Sequence, residues 1–221
     1  MDKKKVCIVV PIKTNNVRLP GKTFRKLNGK PLYYYLFNTL KKLKDIDIYV
    51  DSSDEKVLEI AKEWGFNTFK RPERFNEDDI AGDDLLNRII DGLDYKIIGL
   101  LHITSPFLSK ETIERAIKII SENEHLDSLF GVELSYNRFW FKKKPLNHNI
   151  KKLVRTQDLE PLLVESPDLY FFRKKSFKKY KKRVCGRKGI LRVNPLECAD
   201  IDNLKDFLFA ELLLKKKIVK I

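Results

Sequence analysis

The sequence is short of the features that mark several large classes of protein. It has no apolar stretch of 18 residues, and its start, MDKKK, runs straight into a five-residue apolar segment, too short for the core of an export signal. Export and membrane insertion are therefore not expected, and a cytoplasmic location is. Cysteine is scarce: Cys7, Cys185 and Cys198 are odd in number, far apart, and no two have zinc-ligand spacing. Reduced thiols are expected, with Cys7 packed in a buried strand. Internal repeats, low-complexity tracts and Gly/Ser linkers are missing too, so residues 1–221 read as one domain.

What the chain has in excess is positive charge: 45 Lys and Arg against 31 Asp and Glu, a net +14. Such a balance attracts polyanions. The lysine runs, at 142–144, 173–175, 178–188 and 215–217, carry no aromatic-basic RNA-binding signature and no recognisable helix-turn-helix. Nucleic acid and membranes are thus not expected as partners. The runs read as solvated faces, with attraction for anions as the second reading.

Apolar segments at 6–10, 46–50, 68–69 and 97–103 read as strands, and the 3.6-residue period at 31–43, 54–64, 83–93 and 110–121 predicts helices. Asp54 and Ser109 suit the N-caps of two of them, and Gly65 a stop. This alternation predicts βαβ units on a parallel sheet. Further on, 128–134 and 169–172 read as strands, 162–164 as a shorter piece, and 203–215 as a closing amphipathic helix. The polar stretch 135–165, with Phe139, Trp140 and Phe141, breaks the rhythm. It is read as an insertion whose aromatic residues serve either the chain's own packing or contact with a second copy.

Directly after the first strand stands PIKTNNVRLPGKTF, residues 11–24, ending in Gly21-Lys22-Thr23. The common phosphate-binding P-loop needs glycine at position 16, where this chain has Asn16, and Pro20 removes a backbone donor. That loop is excluded. Turn formers (Thr14, Asn15, Asn16) interleaved with Lys13, Arg18 and Lys22 would still suit a triphosphate at the end of a strand. A plain basic surface loop is the other reading.

The stretch resembles the signature P-A-R-x-G-S-K-R-x-P-G-K-N of the cytidylyltransferases that activate acidic keto-sugars, the acylneuraminate and Kdo synthetase family. Pro11, Arg18, Pro20, Gly21 and Lys22 match in register, and Leu27-Asn28-Gly29-Lys30-Pro31-Leu32 resembles the L-x-G-K-P-L that follows. Val50 to Asp54, Glu59 to Lys62, Arg71-Pro72-Glu73, the run Leu100 to Pro106, the R-x-Q-D-L-x-P at 155–161 and Asp200-Ile201-Asp202 resemble later motifs in the same order.

The resemblance implies a three-layer, Rossmann-like α/β nucleotidyltransferase with a mostly parallel sheet, and an insertion that reaches across a homodimer. It implies attack by a sugar-acid hydroxyl on the α-phosphate of CTP, with Mg²⁺ as cofactor and pyrophosphate as leaving group. Lys22, Arg18 and Asp202 are the implied catalytic set; Pro11, Lys13, Asn15, Asn16, Lys22 and Arg71 hold the nucleotide. His102, Thr104, Ser105, Arg155 and Gln157 face the sugar, His102 standing where the family carries Gln. Asp200 and Asp202 are the implied metal ligands. If they lie on a strand, their spacing of two puts both on one face, whereas Asp202 alone could cap the following helix.

The match frays at Val164-Glu165-Ser166-Pro167, where the family's R-x-N-G would stand, and at Leu108, where an Arg often follows T-S-P. An arginine and an asparagine near the sugar are thus missing, which argues against sialic acid itself. Lys142, Lys143, Lys144 and Arg155 are candidates to replace the lost contact. A phosphorylated or phosphonate acceptor, or a silent nucleotide- or polyanion-binding protein, are the alternative functions.

Overall fold

The computed structural model describes residues 5–76 and 80–219. Seven strands form one sheet in the order β11-β7-β10-β6-β1-β4-β5, where β1 is Val6–Pro11, β4 Asp47–Ser52, β5 Asn67–Lys70, β6 Ile97–Leu101, β7 Ser128–Ser135, β10 Leu162–Arg173 and β11 Lys188–Arg192. Two ribbons, β2 (Lys26–Leu27) with β3 (Lys30–Pro31) and β8 (Trp140–Phe141) with β9 (Lys144–Pro145), stand apart. The helices are α1 (Leu32–Leu40), α2 (Glu55–Glu63), α3 (Gly82–Ile89), α4 (Lys110–Glu122), α5 (Lys174–Tyr180) and α6 (Leu204–Lys215).

β1 is apolar on both sides because both are covered. Val6, Ile8 and Val10 join a core with α1, α2 and α4 (Leu36, Phe37, Val57, Ala61, Ile113, Ala116). Cys7 and Val9 face the other layer, where Leu86, Ile89 and Phe177 come from α3 and α5. α6 packs outside the first layer, setting Phe207, Ala210 and Leu213 against Leu27, Leu32 and Tyr35. The expected caps are in place: Asp54 accepts from the Lys56 N–H and Ser109 from that of Thr112. No helix among the described residues is long and apolar enough to cross a membrane.

β1 pairs in parallel with β4 on one side and β6 on the other. The chain winds outward through β4 to β5, then returns to β6 across β1. The carboxyl ends of β1 and β6 therefore flank the switch point, where doubly wound sheets open a crevice. Beyond β6 the sheet turns mixed, since β10 runs antiparallel to both β6 and β7, while β11 is parallel to β7.

Two expectations need correction and a third holds. The pieces at 162–164 and 169–172 are one twelve-residue strand, β10, whose register against β7 shifts between Glu165 and Tyr170. Pro167 lies in that shift and has no N–H to give a ladder. The lysines of 178–188 are exposed, as expected of a solvated face; the stretch completes α5, whose Phe177 is fully buried beside Phe172, and leads into β11. Asp200 and Asp202 lie on an irregular segment before α6, so alternation along a strand does not align them. Asn203, not Asp202, caps α6, through a reciprocal capping box with Asp206.

Gly99, in the middle of β6, lies opposite Phe171 of β10. A Cβ there would stand 2.6 Å from the Phe171 ring and 3.1 Å from Ile8. Gly99→Ala is expected to lower unfolding stability by about 1–3 kcal/mol through overpacking, read as a lower midpoint in urea.

Candidate active site

The loop after β1 is tied down by its own side chains. The Ile12 N–H donates to the Asp51 carbonyl, and the Asn16 amide (2.9 Å) and the Thr23 hydroxyl (3.2 Å) both donate to the Lys13 carbonyl. Gly21 turns the chain with φ of +66°, a conformation that favours glycine, and starts the short 3₁₀ turn Lys22–Phe24. That turn drives Lys22 inward, leaving its side chain 10% exposed.

Lys22 then meets the far end of the chain. Its Nζ donates to the Ile201 carbonyl at 2.9 Å and lies 3.4 Å from Asp202 Oδ1. Arg18 Nη1 donates to the other oxygen of Asp202 at 2.6 Å. The Ile201 N–H donates to the Thr104 carbonyl, which draws the loop after β6 into the same joint. A cavity of about 270 Å³ opens between these segments, with Pro11, Lys13, Asn16 and Lys22 on one side and His102 and Thr104 on the other. It occupies the crevice between the carboxyl ends of β1 and β6.

A second feature was not read from the sequence. Asp168, at the register shift of β10, is fully buried, with the Ser166 hydroxyl donating to Oδ2 at 3.2 Å. Burial first, and then the negative charge of Asp200, push its pKa up to about 7. Its Oδ1 is buried without a hydrogen-bond partner of normal geometry among the described residues. Asp200 is raised as well, by burial and then by Asp202, while the Thr104 side chain pulls it back. Three carboxylates from two segments, β10 and the stretch before α6, therefore feel one another. No cluster of three or more His, Cys, Asp or Glu closes into a complete metal cage among the described residues. Oxygen donors few enough to leave positions open suit Mg²⁺, which keeps waters and takes phosphate oxygens, and the mutual repulsion of these carboxylates is what a cation there would relieve.

His102 is held neutral. Burial first, then the charges of Arg183 and Lys22, lower its pKa to about 4. It can hydrogen-bond a ligand as a neutral ring but does not carry charge near pH 7.

Other expected residues lie elsewhere. Asn15 is exposed on the loop, outside the cavity lining. Arg71 does not line the cavity either. It is wholly buried, with Nε 2.9 Å from Asp51 Oδ2 and Nη2 donating to the Asp51 carbonyl, and Arg88 binds the same carboxylate. Ser105 is buried behind the cavity wall. Arg155 and Gln157 sit on or beside an exposed 3₁₀ turn in the excursion 136–161, Arg155 bound to Asp158 at 2.7 Å. Lys142, Lys143 and Lys144 are exposed around the β8–β9 turn.

The doubly wound α/β sheet with this crevice at its switch point is a nucleotidyltransferase fold. The chain belongs to the cytidylyltransferase family, whose model matches residues 7–213, and as such is a CTP-dependent nucleotidyltransferase. It is 24% identical to a pseudaminic acid cytidylyltransferase of Campylobacter jejuni over 96% of this chain and 97% of that one. With a 3-deoxy-manno-octulosonate cytidylyltransferase of Hydrogenovibrio crunogenus the identity is 26%, over 51% of this chain and 46% of that relative. Among solved structures, a CMP:2-keto-3-deoxy-manno-octonic acid synthetase complexed with CTP superposes with a TM-score of 0.72, at 14% identity, over 96% of this chain and 99% of the other.

The paired shifts at Asp168 and His102 have opposite signs in stability. A carboxyl raised from 3.8 to about 7 binds more protons folded than unfolded in that window, so its contribution falls as pH rises through it. His102 acts in the reverse sense below about 6.5. Subtracting the urea stabilities of wild type and Asp168→Asn cancels the histidine. The variant is expected to gain on wild type steadily between pH 4 and 7; a pH-independent difference would mean Asp168 titrates normally.

Proposed function

We propose that the protein transfers CMP from CTP to a hydroxyl of an acidic keto-sugar, releasing pyrophosphate and forming a CMP-activated sugar acid for surface glycan synthesis. The observation that carries this reading is the joint of Lys22 and Arg18 on Asp202 at the switch-point crevice of a cytidylyltransferase fold. The relatives it resembles act, by name, on pseudaminic acid and on 3-deoxy-manno-octulosonate, which are acidic sugars.

In this reading the acceptor oxygen forms a bond to the α-phosphorus while the bond from that phosphorus to the β-phosphate bridging oxygen breaks. Such a displacement asks the protein for in-line positioning and neutralisation of charge. Lys22 and Arg18 supply the positive charge to the phosphates, with Lys13 as a further cation on the loop. Asn16 shapes that loop by holding the Lys13 carbonyl. Asp200 and Asp202 would hold Mg²⁺, which when bound screens the phosphates and fixes their geometry. His102, as a neutral donor or acceptor, and Thr104 orient the acceptor hydroxyl. Arg71 acts at one remove, by fixing Asp51 under the nucleotide loop.

The excursion 136–161 would serve a homodimer. Trp140, Phe141, Leu146, Ile150 and Leu153 are all more than half exposed, a patch of the kind that marks a protein contact. Arg155 and Gln157, exposed on the same excursion, would then serve a neighbouring subunit's site. Replacing Trp140 and Phe141 together by Ser is expected to shift the protein to monomer in sedimentation velocity, while a wild type that is already monomeric removes the proposal.

The activity itself is tested by pyrophosphate release with Mg²⁺ and CTP over eight- and nine-carbon keto-acids, with ATP, GTP and UTP in parallel. CTP-specific release is expected with at least one acid, and Asp202→Asn should lower kcat by roughly 10²–10³. Release with a phosphonate or phosphate ester alone would replace the acceptor class. Failure to bind CTP would reject the reading as a whole.

A further inference from the structure

We propose that Arg183 is the residue that receives the acceptor's carboxylate and so sets the preference of this site for acids; the inference rests on the function proposed above. Arg183 lies in the turn after α5, in the lysine-rich stretch. Its backbone N–H donates to Asp83 Oδ1 at 3.2 Å, and its Nη1 lies 3.3 Å from the same oxygen. The guanidinium carbon stands 4.6 Å from the centre of the Tyr170 ring. A guanidinium held against a ring and pinned at one corner is already ordered, so little entropy is lost when it binds an anion.

The cavity wall is directly beside it. Gly82 lines the cavity, and a Cβ at position 82 would come within 2.9 Å of Arg183 Nη1. Arg183 is not itself part of the cavity lining, but glycine at 82 leaves its Nη1 packed directly against that wall. Arg183 is listened to inside the cavity as well: after burial, its charge acts on His102 ahead of that of Lys22.

Among the described residues, Asp83 is approached by both Arg183 and Lys182, the latter at 3.7 Å, so two cations share one carboxylate. Glu165 accepts the Tyr170 hydroxyl at 2.7 Å and forms no ion pair with Arg183 among the described residues. With its side chain 29% exposed, Asp83 on Nη1 and a further hydrogen bond to the Tyr170 side chain, the five-donor guanidinium still keeps N–H groups for a carboxylate.

The arrangement also separates two anions. Lys22 and Arg18 meet Asp202 at one end of the cavity, where the proposed function puts the phosphates. Arg183 acts on His102 from the wall near Gly82. An acceptor placed against His102 would have its hydroxyl toward the phosphates and its acid group toward Arg183.

The experiment uses the full chain and the best acid acceptor from the pyrophosphate assay, beside the same sugar with its carboxylate converted to the neutral carboxamide. Wild-type turnover is read first: silence with every acid overturns the proposed function, and Arg183's role with it. Given turnover, Arg183→Ala is expected to raise the acceptor KM roughly 10- to 100-fold, with CTP affinity by calorimetry unchanged, and to abolish the discrimination between acid and carboxamide. If the alanine variant does not fold, Arg183→Gln, which keeps a planar donor over Tyr170, carries the same comparison. A folded variant that binds CTP and retains the wild-type ratio of kcat/KM for acid over carboxamide overturns the assignment, since a purely structural arginine would lower both acceptors alike.

Discussion

One carboxylate, Asp202, is shared by two cations from the other end of the chain, and the whole crevice is assembled around that joint. Lys22 is nearly buried, and a buried ammonium with only a carbonyl for company would be costly. Asp202 supplies the charge and Ile201 the carbonyl, so the turn at Gly21 can point Lys22 inward. The α6 cap makes this arrangement possible. Asp206 accepts from the backbone N–H groups of Asp202 and Asn203, and Asn203 accepts from that of Asp206. Helix termination is thereby satisfied without the Asp202 side chain, which remains available to Arg18 and Lys22.

The molecule contains two ion clusters of different character. Asp51, Arg71 and Arg88 form a closed one: Arg71 and Asp51 have essentially no exposed side-chain surface, and burial lowers the Arg71 pKa against the pull of Asp51. Its work is to hold the end of β4 against β5 and to anchor the Asp51 carbonyl that receives the Ile12 N–H. The cluster at Asp168, Asp200 and Asp202 is open. Its members repel one another and its cations are partly in solvent. A cluster sealed from solvent holds its partners; an open one can exchange them.

The fold was largely legible because its signals are local. The apolar run at β1, the caps at Asp54 and Ser109, and the helical periods of α2 and α4 each follow from neighbours in the chain. The ordered motifs likewise identified the family. What stayed hidden depends on pairing at a distance. β11 is a short edge strand of mixed polarity, KGILR, with no alternation strong enough to announce it, and it exists because β7 offers an open edge. α5 is recognisable only through Phe177, since lysines occupy most of its other positions. Asp168 gave no signal of its own in the sequence; its significance comes from burial beside Asp200, 32 positions further on. Arg183 was lost among lysines, and nothing short of the contact with Tyr170 and Gly82 separates it from them. Asp200 and Asp202 were found by resemblance although the geometric reason offered for them, a shared strand face, does not hold.

The open cluster carries one further consequence for the proposed chemistry. Arg18 and Lys22 are bound to Asp202, and the proposed function asks the same two cations to meet phosphate oxygens. Polyphosphate and Asp202 therefore compete for them. As the phosphates take the cations, the carboxylate of Asp202 is left beside Asp200 with less compensation, and two partly buried carboxylates that already repel would repel more. In the proposed function a divalent cation held by Asp200 and Asp202 would relieve that repulsion, so nucleotide and metal would bind with positive coupling, each raising the affinity of the other by the same factor.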